Sequence, residues 1–220
     1  MLRMRFSKEG NAVWISHLDL MRLLMRAFRR AGLSLKHSQG FTPHPELSIA
    51  LPLSVGVSSV CEFADFELAE GDGTLPERIP ASLNAVLPEG VRVRDCYSDG
   101  QKLKYLVWLE AELTLVYDGG IPAGAEEAIS ELFDRAELVV EKHGKKGPVD
   151  TDLRPMYHNV RLRRASGTEL ILNAVCAAQN PTLNPLLLAA AIEKYLPAFR
   201  PDFTRCRRLE ALDAEENPFR

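Results

Sequence analysis

Side chains that could do chemistry are concentrated between residues 16 and 45. Three of the five histidines lie there, at His17, His37 and His44. Neutral imidazoles could bind a divalent metal ion, but the spacing of these three matches no local metal motif, and no carboxylate is placed among them. We therefore predict no metal site and no bound cofactor.

The same histidines could act as a general acid or base. In metal-independent RNA cleavage one group takes the proton of the 2′-hydroxyl and cations stabilise the phosphorane. His17 could fill these roles together with Arg22 or together with His44. A structural role is the alternative, with His17 in a cap or core and with His37 and His44 stabilising an irregular loop. Binding without catalysis is the third hypothesis, and the spacing of the residues leaves all three open.

A predicted helix over residues 16–31 positions the first of these side chains. At 100° per residue its cations fall on one narrow arc, and apolar residues fill the rest of the circumference. This arc, here called the arginine face, consists of Asp19, Arg22, Arg26, Arg29 and Arg30. Ser16 with Asp19 is an acidic variant of the capping box, and Gly32 can adopt the left-handed conformation that ends a helix. We expect a mostly buried helix with a cationic face, and we expect His17 to lie in its apolar arc, near the following loop.

The loop at residues 36–45 is predicted to hold a fixed shape. Gly40 permits a left-handed residue, and Pro43 restricts the backbone. The rings of Phe41 and His44 lie beside amide and hydroxyl groups, so the loop could stack a base next to phosphate-binding arginines, a combination used in RNA recognition. The alternative is that Phe41 fills the core and the prolines prevent edge pairing. The predicted binding residues are Asp19, Arg22, Arg26, Arg29, Ser38, Gln39, Gly40, Phe41 and His44.

Charge is unevenly distributed along the 220 residues. Residues 1–50 carry eight Lys and Arg against three Asp and Glu, residues 51–140 carry six against 17, and residues 141–220 carry 13 against 10. Basic ends can attract phosphate groups locally, whereas the acidic middle argues against a protein that coats nucleic acid indiscriminately. A second basic surface would form if two predicted strands pair, the strands that carry Arg161, Arg163, Arg164, Arg205, Arg207 and Arg208. Ordinary charge on an exposed sheet face is the alternative.

Length and a hydrophobic content of 46% indicate a folded, cytoplasmic protein of one large or two small domains. No segment approaches the roughly 18 to 20 apolar residues that span a bilayer, and the N-terminus lacks the apolar run of a signal peptide. The four cysteines are at least 30 residues apart, so we expect free thiols. They are Cys61, Cys96, Cys176 and Cys206.

Both halves are predicted to follow the order β-α-β-β-α-β, each with an extra strand. We expect first-half strands at 2–7, 33–37, 47–51, 60–68 and 91–97, and helices at 16–31 and 75–86. We expect second-half strands at 104–117, 138–142, 159–164, 169–177 and 203–212 and helices at 122–135 and 185–196. We also expect a basic hairpin at 143–147 and an irregular turn or a single helical turn at 149–155. The predicted class is α+β, two ferredoxin-like (split βαβ) halves with largely antiparallel sheets. The N-terminal domain, 1–98, would carry the candidate site, and the C-terminal domain would be 102–220.

Six segments, in order along the chain, carry a family resemblance: residues 5–8 (RFSK), 16–20 (SHLDL), 29–32 (RRAG), 38–45 (SQGFTPHP), 49–56 (IALPLSVG) and 150–155 (DTDLRP). Together they resemble the radical-SAM-linked proteins, a bacterial family found fused behind a cobalamin-binding radical SAM domain or as a separate chain. The chain lacks the C-x-x-x-C-x-x-C that holds a radical SAM cluster, so the resemblance implies the separate form, with a radical SAM protein as partner. Family members are often encoded beside ribosomal proteins and an RNA-processing ribonuclease, which implies work on RNA or the ribosome. The family offers no established activity and no catalytic residues to carry over.

Three functional hypotheses follow. The leading one is a radical-SAM-linked accessory or substrate-recognition protein that binds RNA or a ribonucleoprotein and is not itself catalytic. The second is a metal-independent RNA-processing enzyme that uses His17 or His44. The third is a protein–protein adaptor that docks through the apolar arc of the first helix.

Overall fold

The computed structural model describes residues 1–144 and 147–220. Over these residues the fold is mixed α+β, with ten strands and four helices, and the strand pairs within each compact unit are antiparallel. The predicted class and the predominance of antiparallel pairing are confirmed. Two compact units are present, Met1–Leu103 with Arg220 (the N-terminal unit) and Lys104–Phe219 (the C-terminal unit). Lys145 and Lys146, from the predicted basic hairpin, lie outside the described residues.

The N-terminal unit is a four-stranded sheet covered by two helices. Its elements are β1 (Leu2–Lys8), α1 (His17–Arg30), β2 (Leu47–Ile49), β3 (Val57–Phe66), α2 (Ile79–Asn84) and β4 (Val91–Tyr97). The strands pair in the order β4-β1-β3-β2. The strand predicted at 33–37 does not form, because this segment makes only isolated bridges, from Leu35 to Leu68 and from His37 to Pro45.

Alternation along β1 separates the core from the opposite face of this sheet. Met4 and Phe6 are fully buried in the core that α1 also enters. The ring of Phe28 on α1 meets the ring of Phe66 on β3 edge-on, with 4.8 Å between centroids. Because the apolar arc of α1 packs into this core, the rotation of the helix about its own axis is fixed by burial of its leucines and Phe28.

The C-terminal unit is a second four-stranded antiparallel sheet with an inserted hairpin. Its elements are β5 (Trp108–Val116), α3 (Ala125–Phe133), β6 (Val139–Gly144), β7 (Gly147–Asp152), β8 (Tyr157–Arg164), β9 (Glu169–Ala177), α4 (Leu186–Tyr195) and β10 (Phe203–Leu212). The main sheet has the order β10-β5-β9-β8, and β6 pairs with β7 alone. The irregular or single helical turn predicted at 149–155 is therefore wrong over residues 149–152, because pairing with β6 extends a segment of low strand propensity. A short helical turn, Arg154–Met156, follows it.

Alternation along β5 gives the C-terminal sheet two different faces. Leu113 and Leu115 are fully buried in the core that contains α3 and α4, whereas Glu110 and Glu112 are half-buried on the other face. The continuous second basic surface does not form, because β8 and β10 do not pair and β5 and β9 lie between them. Glutamates on those two strands approach the arginines instead, as in the ion pair of 2.6 Å between Arg205 and Glu169.

Among the described residues, no helix has the length and apolar character needed to cross a membrane.

A buried ion pair joins the first and third strands of the N-terminal unit. Arg3 and Asp65 face each other across β1 and β3, with Nε 2.6 Å from Oδ1 and Nη2 3.0 Å from Oδ2. Their side chains are only 6% and 8% exposed. Removing one partner from such a pair leaves an uncompensated buried charge, which is far more costly than losing a surface pair.

We predict that Asp65→Asn lowers the free energy of unfolding by about 3 kcal/mol, because the Arg3 guanidinium stays buried against a neutral amide. Urea denaturation of the full chain, followed by circular dichroism, measures the loss. Glu67→Gln is the matched control, since it removes a half-exposed carboxylate one residue beyond the same strand. Equal losses in the two variants would contradict the assigned role of the buried pair.

Candidate functional site

The helix that carries the predicted site begins and ends as its sequence indicates. The Ser16 hydroxyl accepts a hydrogen bond from the Asp19 backbone N–H at 3.2 Å and donates one to the Asp19 carboxylate at 2.7 Å. Gly32, just beyond the helix, has a φ of 75°. The Ser16 cap and the left-handed glycine are confirmed, whereas the Asp19 carboxylate bonds the Ser16 hydroxyl and not the Ser16 backbone N–H that a capping box requires. Arg22, Arg26, Arg29 and Arg30 are all exposed.

The arginines of this face are not equivalent. Arg22 pairs with Asp19 at 3.0 Å, and Arg30 donates a hydrogen bond of 2.7 Å to the Val86 carbonyl. The Ser16 hydrogen bond, followed by the Arg22 hydrogen bond, holds the pKa of Asp19 below its usual value. Within residues 1–144 and 147–220, the side chains of Arg26 and Arg29 make no hydrogen bond and no ion pair. Their guanidinium donors are therefore available to an anion without breaking an existing contact.

A groove of about 470 Å³ lies between the C-terminal half of α1 and the segment that follows it. We call this the first groove. It is lined by Met25, Arg26, Phe28, Arg29, Gly32, Leu33, Ser34, Leu35, His37 and Pro45. Its lining combines buried apolar side chains, such as Phe28 and Leu35, with the exposed cations Arg26 and Arg29. The groove thus places the two unpaired arginines beside both ends of the predicted loop, at His37 and Pro45.

A second groove of about 660 Å³ is also formed by α1. It is lined by Ile15, Asp19, Arg22, Leu23, Arg26, Arg30, Val86 and Pro88. Arg26 lines both grooves, so it is the cation that connects them. Together the two grooves contain every charged residue of the arginine face.

The loop is closed by three contacts between Ser38 and His44. The Ser38 backbone N–H donates to the His44 carbonyl at 2.9 Å, the His44 backbone N–H donates to the Ser38 hydroxyl at 3.2 Å, and that hydroxyl lies 2.8 Å from His44 Nδ1. Gln39, Gly40 and Phe41 are exposed between them, and Phe41 is fully so. The alternative in which Phe41 fills the core is wrong. Gly40, at a φ of 158°, is closer to extended backbone than to the left-handed helical region.

The structure does not bring the two candidate catalytic histidines together. His17 is the first residue of α1, whereas the residues flanking His44 lie beside the C-terminal half of that helix. A helix of 14 residues is roughly 20 Å long, so the two imidazoles lie near its opposite ends. His17 Nδ1 is buried without a hydrogen-bond partner in the described chain, and the His44 ring is engaged by Ser38. Among the described residues, no group of three or more His, Cys, Asp or Glu side chains could hold a metal ion.

One residue that supports the first groove has no signal in local sequence periodicity. The Asp72 carboxylate accepts hydrogen bonds from the Thr74 hydroxyl at 2.6 Å and from the Ser34 backbone N–H at 2.9 Å. These contacts, with Thr74 the stronger, hold the pKa of Asp72 below its usual value. Asp72 thereby fixes the groove wall at Ser34 from 38 residues away in sequence. The D-x-T turn pattern at 72–74 was the available clue, but it does not name Ser34 as a partner.

A family model described as an uncharacterized protein conserved in bacteria, DUF2344, matches residues 1–185. The chain belongs to this family. That description carries no activity and mentions no radical SAM protein. No curated protein matches this DUF2344 member at a significant level.

Solved structures provide a likeness of fold. A chain in the crystal structure of a Cbf5-Nop10-Gar1 complex is similar with a TM-score of 0.54 at 10% identity, over 96% of this chain and 48% of that one. The archaeal box H/ACA sRNP Nop10-Cbf5 complex gives a TM-score of 0.40 at 14% identity, over 94% and 46%. An unknown protein from Galdieria sulphuraria gives 0.24 at 13% identity, over 94% and 96%. The DUF2344 chain thus spans about half the length of the first two solved chains.

We predict that Asp72→Asn reduces stability at neutral pH, and that its difference from wild type disappears in acid. A lowered folded-state pKa means that the Asp72 carboxylate contributes stability above the unfolded value of 3.8, a contribution lost as pH falls through the folded pKa. Denaturation midpoints measured from pH 7 down to about pH 2 check this. Glu70→Gln is the control for loss of one exposed negative charge in the same loop. A wild-type advantage that persists undiminished at the acid end would contradict the assignment.

Proposed function

We propose that this DUF2344 protein binds RNA through the arginine face of α1 and the adjoining 36–45 loop. The observation that carries the proposal is the pair Arg26 and Arg29, exposed and unpaired in the described chain, in a groove that also contains both ends of the loop. Guanidinium groups bind phosphate oxygens through paired N–H donors. Two unpaired arginines three residues apart on one helix supply two such contacts on adjacent turns.

The loop favours unstacked RNA over a continuous duplex. Phe41 projects fully exposed from a loop that Ser38 and His44 close, so its ring face is available at little cost in conformational entropy. Single-stranded RNA offers bases that can leave the stack and pack on such a ring, and duplex RNA does not. Arg26 and Arg29 would hold the backbone while Phe41 stacks a base. Ser38, Gln39 and the backbone at Gly40 would contribute hydrogen bonds beside it.

The proposed role is recognition rather than catalysis. His17 and His44 lie near opposite ends of α1, so no acid–base pair straddles the arginine grooves. The apolar arc of α1 is occupied by its own core, since Leu20, Leu24 and Phe28 are buried. The exposed cations and the loop are therefore the proposed surface for RNA.

We also propose that the two compact units are ferredoxin-like domains, corresponding to the predicted 1–98 and 102–220. The support is a shared order of pairing. In each unit the last strand pairs with the first, the first with the third and the third with the second, when the inserted hairpin β6–β7 is set aside. Such an order is the one that two consecutive β-α-β units sharing a single antiparallel sheet produce.

We predict that Arg26→Glu weakens RNA binding at least tenfold and lowers its salt dependence by about one phosphate contact. The reason is that a carboxylate would replace a phosphate-binding cation in both grooves. Filter binding to a stem-loop RNA with an unpaired loop, at about 50 and 200 mM salt, measures both quantities. Arg78→Glu is the matched control, because Arg78 is an exposed, unpaired arginine of the same unit that lines neither groove.

Phe41→Ala separates stacking from charge in the same assay. It should weaken binding by the value of one stacked base, about 1–3 kcal/mol, while leaving the salt slope unchanged. Salt-insensitive binding, or equal weakening by Arg26→Glu and Arg78→Glu, would contradict the proposed interface.

The resemblance to radical-SAM-linked proteins adds a protein partner to the proposal. Leu18 and Trp14 are exposed apolar side chains beside the start of α1, at 66% each, and such residues favour a protein contact. We predict that the tagged full chain retains a cobalamin-binding radical SAM protein after ribonuclease treatment, and that Leu18→Ser reduces the recovery. Leu75→Ser alters another exposed leucine and is the control. If the tagged chain recovers no more radical SAM protein than an unrelated bait of the same charge does, the proposal of a radical SAM partner is wrong.

A further inference from the structure

A small polar pocket of about 160 Å³ lies on the helix-free face of the C-terminal sheet. It is lined by Glu110, Asn159, Arg161, Asn173, Ala174 and Val175. Four of these six residues carry a carboxylate, a guanidinium or a carboxamide. The volume is well below the roughly 300–1,000 Å³ of pockets for drug-sized ligands, so any ligand here is small.

A bulge in β8 creates the space for this pocket. His158 faces Val175 and Arg161 faces Asn173, so two residues of β8 lie opposite one residue of β9. Asn159, at the bulge, has a left-handed φ of 53°.

One glutamate of the C-terminal turn, Glu216, binds two residues of the bulge. The carboxylate of Glu216 lies 2.8 Å from His158 Nε2 and accepts a hydrogen bond of 3.3 Å from Asn159 Nδ2. Trp108 packs edge-on against the His158 ring, with 4.6 Å between centroids. The pocket wall is therefore built from specific contacts on both sides of the bulge.

Three polar side chains of the pocket have no partner in the described chain. Beyond the backbone pairing of their strands, the side chains of Glu110, Arg161 and Asn173 make no hydrogen bond and no ion pair with any described residue. By contrast, Arg163, two residues along β8, approaches Glu112 at 4.0 Å. A carboxylate and a guanidinium that line one small pocket without pairing leave both charges to a ligand.

We propose that this pocket binds a small zwitterion, a molecule with an ammonium and a carboxylate group such as a free amino acid. Glu110 would take the ammonium group, Arg161 would take the carboxylate, and the Asn173 carboxamide can donate to one and accept from the other. The opposite charges of Glu110 and Arg161 select against a simple anion or a simple cation. Among the described residues no aromatic side chain lines the pocket, so a nucleobase would find no aromatic ring to stack on there.

The test uses isothermal titration calorimetry of the full chain with each of the twenty common amino acids. At least one should bind, and Glu110→Gln and Arg161→Gln should each weaken it at least tenfold, since each change removes one charge-assisted hydrogen bond. Arg163→Gln is the matched control and should leave binding unchanged. Circular dichroism confirms that these surface substitutions leave the fold intact.

Two further probes establish that both charges of the ligand matter. The decarboxylated amine and the deaminated acid of the amino acid that binds most tightly should each bind at least tenfold more weakly than the parent. Absence of binding by all twenty amino acids would overturn the proposal. So would an amine or acid that binds as tightly as the parent, or binding that survives in both Glu110→Gln and Arg161→Gln.

Discussion

Burial of the apolar arc of α1 is the constraint on which the rest of the N-terminal unit depends. Leu20, Leu24 and Phe28 are each worth about 1.5–3 kcal/mol when removed from water, whereas an unpaired buried guanidinium costs several kcal/mol. No rotation of the helix satisfies both requirements except one that places its arginines outside. The outward orientation of the Arg26 and Arg29 side chains is therefore a consequence of core packing. It does not depend on which partner binds them.

The end of the same helix determines where the loop can lie. Gly32 turns the chain through a left-handed residue, and the next segment runs beside α1, where Asp72 anchors Ser34. This segment lines the first groove, and both ends of the loop therefore lie beside the unpaired side chains of Arg26 and Arg29. The contacts between Ser38 and His44 then close the loop with Phe41 exposed. Arg26, Arg29 and the two ends of the loop line one groove because the turn at Gly32 and the Asp72 carboxylate define the path of the segment between them.

The structural features that the sequence predicted correctly depend on neighbouring residues. The features that it missed depend on contacts between residues far apart in the chain. The Ser16 cap, the end of α1 at Gly32 and the strands Val91–Tyr97, Glu169–Ala177 and Phe203–Leu212 follow from periodicity and end signals within a few residues. The strand expected at 33–37 fails because it finds only single bridges, and the strand at Gly147–Asp152 exists because β6 pairs with it. Neither outcome is encoded in the segment itself.

The candidate site divides in the same way. The exposed arginine face was predictable from 100° spacing alone, since it depends on one helix. The position of His17 relative to His44 depends on which end of α1 the loop approaches, and that is decided by tertiary contacts at Leu35, His37 and Pro45. The pocket of Glu110, Arg161 and Asn173 brings together three strands, and no window of sequence contains all of them.

If RNA lies along the C-terminal half of α1 and against the loop, it should crosslink to the aromatic side chains there. Ultraviolet crosslinking of the full chain to a stem-loop RNA, with the crosslinked peptides identified by mass spectrometry, measures this. We expect crosslinks at Phe41 and His37, in the loop whose two ends line the groove of Arg26 and Arg29. Crosslinks confined to the C-terminal unit, or none above the level seen with free nucleotides, would contradict it.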